Sequence, residues 1–105
     1  MLKKSKKIGN KRAKNTVFLQ VSDFLKLLAD ENRLRILLAL TEETMSVTQI
    51  HEKLKLPQNL TSHHISKLKE MDLLNEKRDG VFRYYSLNAQ KLKECNRLLK
   101  ELLKI

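Results

Sequence analysis

Gln58, Asn59, Ser62, His63 and Ser66 are the side chains in this sequence best suited to selective polar chemistry. At ~100° per residue they gather on one side of a single helix. The other side carries Thr61, His64, Ile65, Leu68 and Met71 within about 120°, with Leu60 on its edge. Most outward helix faces show Lys and Glu. A face of Ser, Asn and Gln can donate and accept hydrogen bonds without burying a full charge, which suits base edges and phosphate oxygens. Catalysis is the rival chemistry, and its parts are missing. There is no paired-carboxylate cleft, no Gly-rich phosphate loop and no nucleophile beside a positioned base, so the expectation is a protein that is not an enzyme and needs no cofactor.

The elements around this helix are marked by very little punctuation, two Gly and one Pro. Pro57 opens the helix, expected over about Gln58–Met71, because proline is tolerated where the first N–H groups have no partner. A short helix at about Val47–Leu54 precedes it, with Val47, Ile50 and Leu54 inward. Downstream, Leu74–Arg78 and Val81–Leu87 flank Asp79-Gly80, a type I′ hairpin signal. That loop pairs Glu76 with Arg83 and Leu74 with Tyr85. Lys77, Arg78 and Arg83 then sit on the ribbon where it could meet a nucleic-acid backbone or minor groove, and Lys67 adds a cation to the polar helix. Upstream, Val17, Val21, Phe24 and Leu28 fall at helical spacing between Thr16 and Ala29, with Phe18 and Leu25 beside them. Asp30 looks like the cap of a second helix, Glu31–Leu40, apolar almost all round as for a helix buried mid-domain. Asn88 caps a last helix to Ile105, with Leu92, Cys95, Leu99 and Leu102 in one seam.

At 105 residues the chain is one domain, and its core must be mostly Leu, Ile and Val. The formal charge is +10, unevenly spread. Lys3, Lys4, Lys6, Lys7, Lys11, Arg12 and Lys14 precede Asn15 with no acid among them, leaving 15 cations against all 12 acids in the remainder. Residues 1–15 are therefore expected as a basic, disordered arm and residues 16–105 as the folded domain. The arm has two readings, a solvated tail or a strap along phosphates. Such a balance attracts polyanions, either nucleic acid or an anionic membrane surface. A single cysteine excludes an internal disulfide or CxxC pair and fits a reducing cytoplasm. No segment reaches the ~18 apolar residues of a membrane span. Gln20, Ser22, Asp23 and Lys26 interrupt any signal-peptide core after the basic start.

Three segments in order resemble the ArsR/SmtB family of winged-helix repressors. Residues 28–37, LADENRLRIL, resemble that family's second helix; residues 56–68, LPQNLTSHHISKL, its recognition helix; and residues 79–87, DGVFRYYSL, its wing. The likeness is ungapped over about residues 27–87. It implies a mainly α fold with a small β-hairpin, four helices, two strands and a fifth helix. It also implies a homodimer through the first and last helices, here Val17, Val21, Phe24, Leu92, Cys95, Leu99 and Leu102. Carried over, Gln58, Asn59, Ser62 and His63 would face the major groove of an inverted repeat in double-stranded DNA. His64 matches a histidine that both motif and wheel place toward the interior rather than on DNA. Thr61 stands where the family usually has Val.

The resemblance breaks at the metal sites. A Cys-Val-Cys pair of many relatives corresponds to Ser46-Val47-Thr48, and hydroxyls are poor ligands for soft metals. The Asp-x-His pair of others corresponds to Ala89 and Lys91, with no histidine after it. No metal response is expected, and the effector is not specified. Cys95 has two readings, a packing residue or an oxidisable thiol. The leading expectation is a metal-independent transcriptional repressor; the alternative is a nonspecific or architectural nucleic-acid-binding protein.

Overall fold

A computed structural model of the chain describes residues 2–105, with side chains from residue 15 onward. Over these residues the elements are α1 Leu2–Leu28, α2 Glu31–Leu40, β1 Met45–Ser46, α3 Val47–Leu54, α4 Gln58–Glu70, β2 Leu74–Asp79, β3 Phe82–Leu87 and α5 Ala89–Leu103. The expected order of helices and ribbon is present, with β1 as an addition. The backbone of residues 2–14, expected as a disordered arm, runs on as the first part of α1. Lys, Arg and Ala favour helix, and extending a helix avoids a new nucleation step. The reading of this segment as a phosphate strap concerns side chains outside the described ones.

Local signals set the helix limits. Asp30 caps α2 by accepting the Arg33 N–H at 3.0 Å. Ser46 and Gln49 form a reciprocal capping box at the start of α3. With no glycine available, α3 ends on Lys55 in the left-handed conformation, φ 56°, and the Leu56 N–H returns to the His51 carbonyl at 3.0 Å. Pro57 then starts α4, so α3 and α4 are joined by a tight turn.

The core gathers under α4. Ile36, Met45, Ile50, Leu68 and Leu73 are fully buried, with Phe24, Leu27, Leu37, Ile65, Tyr85 and Cys95 in the same cluster. As the wheel predicted, Thr61, His64, Ile65 and Leu68 are the buried side of α4. Burial of a side chain such as Leu68 or Ile65 stabilises by about 1.5–3 kcal/mol, which holds the polar face outward. The expectation for α2 needs correcting. Ile36, Leu37, Ala39 and Leu40 are buried, but Leu34 and Leu38 are 53% and 68% exposed. Only one side of this short helix meets α1, α3, α4 and β3.

The sheet order is β1-β3-β2, all antiparallel. Met45 pairs with Tyr85, so the start of α3 is tied to the ribbon. The ribbon's register also differs from expectation. Asp79 pairs with Phe82, which makes Gly80-Val81 the two-residue turn, and Glu76 lies opposite Tyr85 rather than Arg83. Gly80 has φ +63° and Val81 has no positive φ, as in a II′ turn with Gly first. A type I′ turn on Asp79-Gly80 would have put Asp79 in the left-handed region. Because the slip is two residues, every side chain stays on its expected face.

Candidate nucleic-acid interface

Gln58, Asn59, Ser62, His63 and Ser66 are all exposed on α4. Pro57 provides no side-chain cap. Asn59 instead accepts the Leu60 N–H through Oδ1 at 3.0 Å, which leaves its Nδ2 group as an outward donor. The opposite side is anchored. Thr61 donates through Oγ1 to the Pro57 carbonyl at 3.0 Å. His64 is 4% exposed and lies 3.3 Å from Arg33 Nη1 through Nδ1 and 3.8 Å from Asp30 Oδ1 through Nε2. Arginine can only donate, so His64 Nδ1 is the acceptor and the ring is the neutral Nε2–H form. Burial pushes the His64 pKa down, partly countered by the Asp30 carboxylate. His64 is therefore scaffold, while His63 on the next position faces out.

The ribbon supplies cations. Lys77, Arg78 and Arg83 are exposed, and Arg78 lies directly opposite Arg83. Like charges in cross-strand pairs are unfavourable, so this pair is poised to accept an anion. Lys67 is half-buried and 3.9 Å from Glu70, which makes it a weaker part of the polar face than its sequence position implied.

The polar helix and the ribbon converge. Ser62, Ser66 and Lys69 of α4 line one cleft with Val81, Phe82 and Arg83 of the ribbon, together with Ser46, Thr48, Ile65 and Tyr85. Three participants were not expected at the site: Lys69, and Glu76 and Tyr85, which the sequence offered only as cross-strand partners of Arg83 and Leu74. Glu76 Oε1 lies 3.1 Å from Lys69 Nζ, accepts the Tyr85 hydroxyl at 3.0 Å, and is 3.8 Å from Arg83 Nη1. The Lys69 and Tyr85 hydrogen bonds hold the Glu76 carboxyl below its usual range, and burial raises the Tyr85 hydroxyl. Lys69 was within reach of the wheel, being two turns after Ser62 on the same face. The Glu76–Tyr85 contact was not, because it needs the true ribbon register.

The apolar seam of α1 and α5 divides in two. Val21, Phe24 and Cys95 are buried within the chain itself, and Val17, Leu92, Leu99 and Leu102 are half-buried. The exposed apolar side chains here are Phe18, Leu19 and Leu25 on α1 and Leu103 on α5. Burial pushes the Cys95 thiol pKa up, which disfavours the reactive thiolate. Among the described residues, no helix is long and apolar enough to cross a membrane.

Comparison with known proteins follows the same lines. A family model described as a helix-turn-helix domain matches residues 28–77. An uncharacterized HTH-type transcriptional regulator of Methanocaldococcus jannaschii, MJ1325, is 32% identical over 84 residues, covering 79% of this chain and 94% of the relative. The transcriptional repressor PagR of Bacillus anthracis is 37% identical over 79 residues, covering 74% of this chain and 79% of the repressor. Among solved structures, the homodimeric winged helix-turn-helix DNA-binding domain Mb0332 from Mycobacterium bovis superposes with a TM-score of 0.70 at 24% identity, covering 87% of this chain and 84% of that one.

Proposed function

Since this chain belongs to the ArsR/SmtB family of winged helix-turn-helix transcriptional regulators, we propose that it is a cytoplasmic, homodimeric repressor that binds an inverted repeat in double-stranded DNA sequence-specifically. One observation carries this reading: Ser62 and Ser66 of the exposed polar face of α4 line one cleft with Arg83 of the ribbon, while Gln58, Asn59, His63, Lys77 and Arg78 are exposed outside it. Gln58, Asn59, Ser62 and His63 would enter the major groove, while Lys77, Arg78 and Arg83 meet the neighbouring backbone or minor groove. Each chain carries a single recognition helix, so a twofold dimer presents two and reads a symmetric site. The exposed Phe18, Leu25 and Leu103 support such self-association, as does the homodimeric state of the Mycobacterium bovis domain. Repression is favoured by the likeness to PagR.

The same reading is metal-independent. Ser46 Oγ is engaged in capping α3 through the Gln49 N–H, at 3.2 Å, and Ala89 and Lys91 have no metal-binding side chain of the kind the resemblance would require. The competing reading, nonspecific binding through charge alone, needs no ordered face of short polar side chains. Selection of bound fragments from a pool of random duplex DNA separates the two. The proposal expects enrichment of an inverted repeat and two chains per recovered duplex, with or without a chelator. Recovery of fragments with no common sequence would establish the nonspecific reading instead.

A further inference from the structure

The contacts of one carboxylate oxygen reach beyond the choice of reading residues. Glu76 Oε1 holds Lys69 of α4 at 3.1 Å and the Tyr85 hydroxyl at 3.0 Å, with Arg83 of β3 at 3.8 Å. Tyr85 is itself 4% exposed and rooted in the core, and Lys69 Nζ lies 5.8 Å over its ring. Lys69 of α4 and Arg83 of β3 both line the cleft. In B-form DNA the two grooves are separated by a phosphodiester strand. A protein with α4 in the major groove and its ribbon at the adjacent minor groove must let that strand pass between them, and the cleft is the space available. Ser62 and Ser66 lie on the α4 wall of the same passage.

From this we infer that Glu76 is a positioning residue for DNA recognition: anchored by Tyr85, it fixes the ribbon against the recognition helix and holds Lys69 and Arg83 together against one backbone strand. The inference rests on the DNA-binding reading above. Two cations share one carboxylate, so the bracket keeps a net positive charge while it limits where the flexible Lys69 and Arg83 side chains can go. Contacts to phosphate position a protein on the duplex and so govern how well α4 registers with the bases. A loosened bracket therefore costs discrimination more than it costs attraction.

Glu76→Gln is the test, because the amide keeps the size of Glu76 and an oxygen to accept from Tyr85 while removing the charge that holds Lys69 and Arg83. Binding is measured to the inverted-repeat duplex recovered by selection and to a scrambled duplex of equal length, with thermal unfolding in parallel. The expected result is unchanged or tighter binding to scrambled DNA, weaker binding to the inverted repeat, and a preference ratio lower by about tenfold. The same substitution made in a Lys69→Met background should lower the ratio by less, because part of the bracket is already gone. If the wild-type chain prefers the inverted repeat and Glu76→Gln leaves the ratio unchanged, or lowers it equally in both backgrounds, Glu76 is not a positioning residue. If the wild-type chain shows no preference, the DNA-reading proposal and this inference fall together. A purely structural role would lower the unfolding temperature and leave the ratio alone.

Discussion

His64 and Ser62 are two residues apart on α4 and do opposite work. The neutral His64 ring accepts from Arg33 and points its Nε2–H toward Asp30, the residue that caps α2. Its folded pKa lies below the ordinary value of 6.5. The unfolded chain therefore takes up a proton at a higher pH than the folded chain does. Stability attributable to His64 is complete above about pH 6.5 and is lost as the pH falls through that value toward the lowered folded one. Urea unfolding at pH 8 and pH 5.5 should show the wild-type chain losing stability on acidification, and a His64→Gln chain losing less. Asp30, whose carboxyl is held below its usual 3.8 mainly by the Arg33 N–H, contributes only in a separate, more acidic window. An equal acid loss in both chains at pH 5.5 would remove His64 from the scaffold role. For Ser62, exposed on the cleft wall, Ser62→Ala should cost about 1–3 kcal/mol of binding to the selected duplex if it reads a base. Undiminished preference in that variant, measured by titration against scrambled DNA, would move the reading function away from Ser62.

Elements differ in how far local chemistry decided them. Helix limits were readable because caps are local: Asp30, Pro57 and Asn88 each start a helix where their side chains or ring predicted, while the Ser46–Gln49 capping box was equally local but went unread. Lys55 is a cap of a less favourable kind. A non-glycine residue in the left-handed region costs roughly 1–2 kcal/mol, part of which glycine would give back in backbone entropy. Lys55→Gly is thus expected to raise stability by about 0.5–1 kcal/mol in denaturant unfolding, and a loss of stability would mean the Lys55 side chain contributes a contact of its own. Two elements were hidden from the sequence for physical reasons. β1 is two residues long, and its identity depends on a partner about 40 positions away, Tyr85. The ribbon register turned on which residue of Asp79-Gly80-Val81 holds positive φ, a choice a Gly-containing turn leaves open. The exposed Leu34 and Leu38 escaped because periodicity shows that a helix is apolar, not how much of it neighbours will cover.

A symmetric DNA site needs two chains acting together, each with one recognition helix. Of the seam expected to join them, Val21, Phe24 and Cys95 are buried inside one chain and Val17, Leu92, Leu99 and Leu102 are half-buried, while outer apolar side chains of α1 remain exposed. Phe18 and Leu25 are two helical turns apart on one face of α1, and 56% and 46% exposed. Phe18→Glu should yield a folded monomer by sedimentation equilibrium, with helix content retained. A Phe18→Glu chain that stays dimeric would place the interface elsewhere. The candidate site was legible to the extent that one helix face was: α4 showed its polar side in sequence, while the cleft it forms with the ribbon required the fold. The measurement that bears most directly on the central claim compares binding to the selected inverted repeat and to scrambled duplex across a salt series. Charge alone gives a steep salt dependence with no preference, whereas base reading leaves a gap between the two curves at every salt concentration. A persistent gap of at least about 1,000-fold is expected. Coincident curves would contradict it.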